Sequence, residues 1–280
     1  MTRGKIKAGP YTLDFSQQTY VMGILNVTPD SFSDGGKHQR VDQAVDHAAR
    51  IITDGADIID IGGESTRPGA TPVPEEEELE RVIPVVEALA SRFDVPLSVD
   101  TYKANVAREA LKKGAHIIND VWGAKADESM AQVAKETGAP IILMHNRHNK
   151  DYQHLIRDMI NDLYESIQLV RQAGVKEEQI ILDPGIGFAK TYEHNLEVMR
   201  SLDAFTALGY PVLLGTSRKS MIGHTLNLPV DQRVEGTIAT VCLGIAKGCA
   251  IVRVHDVKEV CRAVKMMDVM LGRKGGGQHR

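Results

Sequence analysis

The stretch YVMGILNVTPDSFSDGG, residues 20–36, opens as a continuous apolar run and turns at Asn26 into a long polar segment ending in two glycines. Such a run, apolar without alternation, reads as a strand buried on both faces of a parallel sheet. Seven similar runs follow: DIIDI (57–61), LSVD (97–100), HIIN (116–119), IILMH (141–145), IILD (180–183), VLLG (212–215) and AIVRV (250–254). Between them apolar residues recur at helical spacing, as in Val41, Val45, Ala48 and Ile52, or Leu79, Val82, Val86 and Leu89. Met159, Leu163, Ile167 and Val170 repeat the pattern, as do Val257, Val260, Val264 and Met267, so amphipathic helices cover the sheet. Gly55, Gly114, Gly174 and Gly248 fall just past the ends of such segments, where a helix stop takes positive φ.

Eight strand–helix units are the number that closes a (β/α)8 barrel, and 280 residues is an ordinary length for one. A doubly wound open sheet is the alternative, but no G-x-G-x-x-G follows the first run. The expected organisation is a single α/β domain, a (β/α)8 TIM barrel over residues 20–272. A hairpin or cover over 1–19 precedes it and a disordered Gly-rich tail over 273–280 follows.

Composition narrows the function classes. A hydrophobic share of 42% supports a full core, and a net charge of −4 leaves no basic footprint for nucleic acid or an anionic membrane. No run approaches the roughly 18 apolar residues of a membrane span. MTRGKIKAGP at the start has no apolar signal region, so a cytoplasmic protein is expected. Cys242, Cys249 and Cys261 are odd in number and lack CxxC spacing, which fits reduced thiols rather than disulfides or a zinc site.

In a barrel of this class chemistry gathers at the C-terminal ends of the strands. The runs lead into Asn26, then Glu64 with Thr66 and Arg67, Asp100, Asn119, His145, Asp183, the group Ser217, Arg218, Lys219 and Ser220, and Arg253 with His255. A helix cap explains one such residue; it does not explain a polar residue at every strand end. Asp100, Asn119 and Asp183 suit the edge of a heterocycle with several N–H donors, and Lys219 adds a cation for a ring carbonyl or nitrogen. Arg253 and His255 alternate beside 217–220, where barrels frequently bind phosphate, so a phosphorylated substrate is expected. EEEE at 75–78 reads as a solvated first turn complementing a helix dipole. His148, His154 and His194 read as surface residues, and the glycines of DPGIGFAK (183–190) as a packing loop.

With Asn26 to Gly36, GGESTRPG (62–69), DPGIGFAKT (183–191), GTSRKS (215–220) and RVHDV (253–257) in order, the chain closely resembles the dihydropteroate synthase family from the first strand to the last helix. The resemblance implies an enzyme that joins 4-aminobenzoate to 6-hydroxymethyl-7,8-dihydropterin diphosphate in folate synthesis and releases pyrophosphate. It implies Asp100, Asn119, Asp183 and Lys219 around the pterin, and Asn26, Arg253 and His255 at the diphosphate, with Asn26 also a ligand of Mg²⁺. It implies Thr66 and Arg67 near the substrate junction, and Phe32, Thr66, Pro68, Lys219 and Ser220 at the aminobenzoate. HNRHNK (145–150) departs from the Gly-containing turn expected after the fifth-run His.

An allylic-type carbon bearing diphosphate can ionise before attack if the ring delocalises the cation and Asp100 stabilises it. The loops Val27 to Gly36, including Asp34, and Ser65 to Thr71 then read as lids that exclude water. Three other readings stand beside this one: a methyltetrahydrofolate methyltransferase, which needs no diphosphate site; an aldolase-type barrel with Lys219 as Schiff-base nucleophile; and a binding-only barrel. Apolar residues at Ile238, Val241, Leu243 and Ile245, and at Met266, Met267, Met270 and Leu271, exceed one helix face, which supports a homodimer with core packing as the alternative.

Overall fold

Two short antiparallel strands, β1 (Lys5–Ala8) and β2 (Tyr11–Asp14), come first, turned through Gly9 at φ +59°. The computed structural model describes residues 4–28, 37–65 and 71–274. After the hairpin the chain alternates β3 (Tyr20–Asn26), α1 (Lys37–Thr53), β4 (Ile58–Gly62), α2 (Glu75–Arg92), β5 (Leu97–Asp100), α3 (Ala104–Lys112), β6 (Ile117–Asp120) and α4 (Met130–Thr137). It continues through β7 (Ile141–Met144), α5 (Leu155–Ala173), β8 (Ile180–Asp183), α6 (Tyr192–Arg200), α7 (Leu202–Thr206), β9 (Leu213–Leu214), α8 (Ser220–Leu226), α9 (Val234–Ala246), β10 (Ile251–Val254) and α10 (Val257–Met270).

The eight parallel strands run in the order β8-β7-β6-β5-β4-β3-β10-β9. The ring closes where Leu182 of β8 bridges Val212 and its N–H donates to the Pro211 carbonyl at 2.9 Å. This is the expected (β/α)8 barrel, and all eight apolar runs lie on its strands. The run VLLG contributes only two strand residues, Leu213 and Leu214.

Side chains alternate across each strand, so one set faces the helices and the other the barrel interior. Outward residues such as Leu25, Ile59, Val99, Ile118, Leu143 and Leu182 pack under the helices and are fully buried. Inward residues Met22, Ile58, Ile117, Ile142, Ile181, Leu213 and Ile251 form an apolar layer at the N-terminal end, capped by Ile6, Ala8, Leu13 and Phe15 of the hairpin region. Burying each large aliphatic side chain stabilises the fold by about 1.5–3 kcal/mol. The hairpin is thus the plug of the barrel floor, which is the cover expected from residues 1–19.

A polar clasp ties this end shut. Thr19 donates its backbone N–H and its hydroxyl to the Asp268 carboxylate, each at 2.8 Å. Arg273 donates to Thr19 Oγ1 at 2.6 Å and to Asp268 Oδ1 at 3.1 Å. Arg273, assigned from sequence to a disordered tail, therefore belongs to the folded body, because its guanidinium finds a buried carboxylate one turn back. The four glycine stops hold, with φ between +95° at Gly248 and +110° at Gly114. The three cysteines are free thiols, Cys249 and Cys261 being buried. Among the described residues no helix is long and apolar enough to cross a membrane.

Candidate active site at the C-terminal mouth

The same alternation that builds the apolar floor aims a polar layer at the other end. Asn26, Gly62, Asp100 and Asn119 are successive register partners on β3, β4, β5 and β6, so they lie at one level and face inward. Asp183 of β8 and Arg253 of β10 complete the ring. Asp60 sits two residues before Gly62 on the same face and is fully buried.

Arg253 holds this layer together. Its Nε donates to Asp60 Oδ2 at 2.6 Å and its Nη2 to Asp100 Oδ2 at 2.7 Å. Asn119 Nδ2 donates to the same Asp60 oxygen at 3.1 Å. Among the described residues, Asp60 Oδ1, Asp100 Oδ1 and Ser98 Oγ are buried without a hydrogen-bond partner. An unpaired buried acceptor costs about 1–3 kcal/mol, so the layer is built to receive N–H donors.

Electrostatics follow from burial. Desolvation pushes the Asp100 carboxyl well above the usual carboxylate range; Arg253 opposes this, and the charges of Asp60, Glu78 and Asp120 add to it. Desolvation raises Asp183 to about 6, against the Gly185 N–H it accepts at 2.7 Å and the cations Lys219, Lys190 and Arg253. Burial alone would lower Arg253, but Asp60 and Asp100 overcome it and push the guanidinium still higher. The arrangement is one permanent cation beside two carboxyls, Asp100 and Asp183, whose ionisation burial opposes.

Above the layer opens a cavity of about 550 Å³ lined by Asn26, Asp100, Asn119, Asp183, Lys219, Ser220, Arg253 and His255. The structure therefore brings together every described residue assigned to the site from sequence. Phe32, Asp34, Thr66, Arg67 and Pro68 lie outside the described residues. Ser217 Oγ accepts the His255 backbone N–H at 3.1 Å and lies 2.9 Å from its Nδ1, fixing the ring. Arg218, at φ +58°, turns aside to pair with Asp256. Lys219 Nζ lies 4.2 Å from the centre of the Phe188 ring, a cation–π contact on the cavity wall.

Several residues read otherwise from sequence. Glu78 is not part of a solvated turn: it lies on the inward face of α2, is 1% exposed and pairs with Lys103. Lys103 also donates to Glu64 at 2.5 Å, and Tyr102 donates to Glu64 at 3.0 Å, so the end of β4 is anchored by a charged cluster. His145 points away from the cavity, its Nε2 2.9 Å from Asp162 Oδ2 and its Nδ1 3.0 Å from Lys190 Nζ. The loop HNRHNK has a role through Arg147, which binds Asp162 through Nε at 2.5 Å and Nη2 at 3.1 Å. The surface reading holds for His148 and His154, which are exposed, and for half-buried His194; His148 also packs on Trp122, and His194 caps α6 with Thr191.

Two buried residues were missed. Asp60 carries a sequence signal, a lone acid inside an apolar run with inward parity. Lys190 closes DPGIGFAK, and nothing in one sequence distinguishes it from a solvated lysine.

Among the described residues no three His, Cys, Asp or Glu side chains cluster to hold a metal. Asn26, half-buried on the cavity wall, offers one amide oxygen. That sparse set fits Mg²⁺, which keeps several waters and binds through one or two protein oxygens plus substrate phosphates.

A family model described as pterin binding enzyme matches residues 22–255. A dihydropteroate synthase of Bacillus subtilis (strain 168) is 62% identical over 274 residues, covering 98% of this chain and 96% of that one. The crystal structure of a dihydropteroate synthase from Clostridium difficile in the presence of pteroic acid superposes with TM-score 0.90 at 51% identity, covering 92% of this chain and 98% of that one. One from Xanthomonas albilineans with 4-aminobenzoic acid superposes at 0.91 and 40% identity, covering 95% and 98%.

Removing the shared cation tests the layer. Arg253→Met leaves Asp60 and Asp100 buried without their counter-charge, a loss of about 3–5 kcal/mol in urea unfolding near neutral pH. Asp100, already raised by burial and then without Arg253 to oppose it, binds more protons in the native state than unfolded, so the variant's stability falls as pH rises and recovers toward acid. A deficit that is absent, or independent of pH, contradicts the electrostatic account.

Proposed function

The chain belongs to the pterin-binding enzymes and, within them, to the dihydropteroate synthases, and from that premise we propose the part each of its residues takes in the reaction. The reaction is a transfer: 4-aminobenzoate and 6-hydroxymethyl-7,8-dihydropterin diphosphate give 7,8-dihydropteroate and pyrophosphate in folate synthesis. The observation that carries the assignment of roles is the buried acceptor layer crossed by one guanidinium.

The N–H edge of the pterin meets Asp183, Asn119 and Asp100, whose oxygens are buried and poised to accept. Lys219 serves the ring carbonyl or nitrogen. Arg253, His255 and the Asn26 amide meet the diphosphate within the cavity. The C–O bond to the diphosphate breaks first and its electron pair leaves with pyrophosphate. The ring-stabilised cation sits against Asp100, whose charged form that cation favours. The Asn26 amide oxygen would hold Mg²⁺, which would supply charge neutralisation of the leaving group. The arylamine nitrogen then forms the new C–N bond and loses a proton. Lys219 and Ser220 hold the aminobenzoate, with Phe32, Thr66 and Pro68 as further contacts. Asp34 and Arg67 act from the two loops that exclude water from the cation.

Pyrophosphate release measured with Mg²⁺, with and without 4-aminobenzoate, tests this order. Dihydropteroate forms only with the arylamine, and slow release persists without it. Release that requires the arylamine absolutely contradicts ionisation before attack.

The protein works as a cytoplasmic homodimer with no nucleic-acid or membrane partner. Support comes from the three free thiols and from exposed Leu243 of α9 beside Met266, Val269, Met270 and Leu271 of α10 and its end. Sedimentation should give a dimer for the wild type and a monomer for Val269→Asp with Met270→Asp. A monomeric wild type refutes it.

A further inference from the structure

Lys190 is a buried cation that the reaction above does not use. Its Nζ donates to the carbonyls of Gly185 and Phe188, each at 2.9 Å, and reaches His145 Nδ1 at 3.0 Å. His145 gives its Nε2–H to Asp162, which Arg147 also holds, so its Nδ1 is an acceptor toward Lys190. Three acceptors therefore meet the three N–H donors of an ammonium; a neutral amine has only two to offer.

The segment these bonds restrain carries the Phe188 ring, whose own carbonyl Lys190 holds. Gly185, Gly187 and Ala189 all take positive φ, and a Cβ at Gly185 would collide with the His145 carbonyl. Other tethers are the Phe188 N–H to the Gly185 carbonyl at 3.1 Å, the Gly187 N–H to Asn195 Oδ1 at 2.7 Å, the Gly185 N–H to Asp183 Oδ1 at 2.7 Å, the Tyr152 hydroxyl to the Ala189 carbonyl at 2.9 Å and the buried Ile186 side chain, and of these only the first engages Phe188. That segment is a wall of the cavity, and its Phe188 ring supports Lys219.

We propose that Lys190 is a positioning residue whose ammonium straps the 185–188 segment and thereby sets Phe188 and Lys219 where the arylamine is received. The proposal rests on the synthase reading of the cavity. Lys190 faces Asp183 on β8, Lys219 before α8, His145 and Arg147 after β7, and Asp162 on α5. Burial lowers its ammonium to about 7; Asp183 opposes this, while Lys219 and Arg147 reinforce it. Asp162 stays ionised near 2, since bonds from His145 and Arg147 outweigh its desolvation, and burial holds His145 neutral down to about 4. The strap therefore loosens as pH rises through neutrality, after Asp183, at about 6, has gained the charge that favours the ammonium.

The test is the KM for each substrate from about pH 6 to about pH 9, for wild type and Lys190→Met. The wild-type arylamine KM should rise with pH through neutrality, while the pterin diphosphate KM, which follows Asp183 at about 6, should fall and then level off. Lys190→Met should raise the arylamine KM about 10- to 100-fold and abolish its pH dependence, as expected of a wall displaced by an ångström or less. If the variant does not fold, NMR of ¹³Cε-lysine-labelled wild type gives the Lys190 midpoint, which should match that of the arylamine KM. An active wild type with a level arylamine KM, or a folded variant with unchanged KM and pH profile, overturns the proposal. A wild type that forms no dihydropteroate overturns the synthase reading instead.

Discussion

One guanidinium shared by two buried carboxylates, Arg253 between Asp60 and Asp100, is the contact on which the upper half of the barrel depends. Burying either acid alone would be costly, and burying both without Arg253 would place like charges side by side. With Arg253 present, each acid binds through one oxygen and leaves the other unpaired. The ion pair thus performs two tasks: it lets the acids enter the barrel, and it leaves acceptors there for a ligand.

Such a layer needs rigid support. The barrel floor beneath it is built of apolar side chains, from Met22 and Ile58 down to Leu13 and Phe15 of the hairpin region, and helices press on the strands from outside. Charged clusters then fix the edges of the mouth: Glu64 with Lys103 and Glu78 beyond β4, and Asp162 with Arg147 and His145 beyond β7. The stability invested in the floor is what permits unsatisfied acceptors at the top, a division common where a site is built into a fold.

Period and punctuation made the barrel legible: all eight runs are strands and all four glycine stops have positive φ. The cavity lining was legible at most of the polar residues that end apolar runs, as with Asn26, Asp100, Asn119 and Asp183, but not at His145, which ends a run and points away. It was less legible where tertiary packing decides. Glu78 looked solvated because a run of four acids hides which one faces inward. Asp60 was passed over because it stands inside a strand rather than at its end. The meeting of Lys190 with His145 spans 45 residues and depends on how β7 and β8 pair, which no local pattern records.

The central claim is that the polar layer holds two carboxyls, Asp100 and Asp183, whose ionisation burial opposes and arriving N–H donors favour. Calorimetric titration of 6-hydroxymethyl-7,8-dihydropterin at about pH 6, in buffers of different ionisation enthalpy, measures the protons exchanged on binding. Asp183, with its midpoint at about 6, is part-protonated there, and accepting N–H bonds favours its ionised form. Net proton release that fades above about pH 8 is the predicted result. Binding with no proton exchange at pH 6, or with uptake, would contradict it.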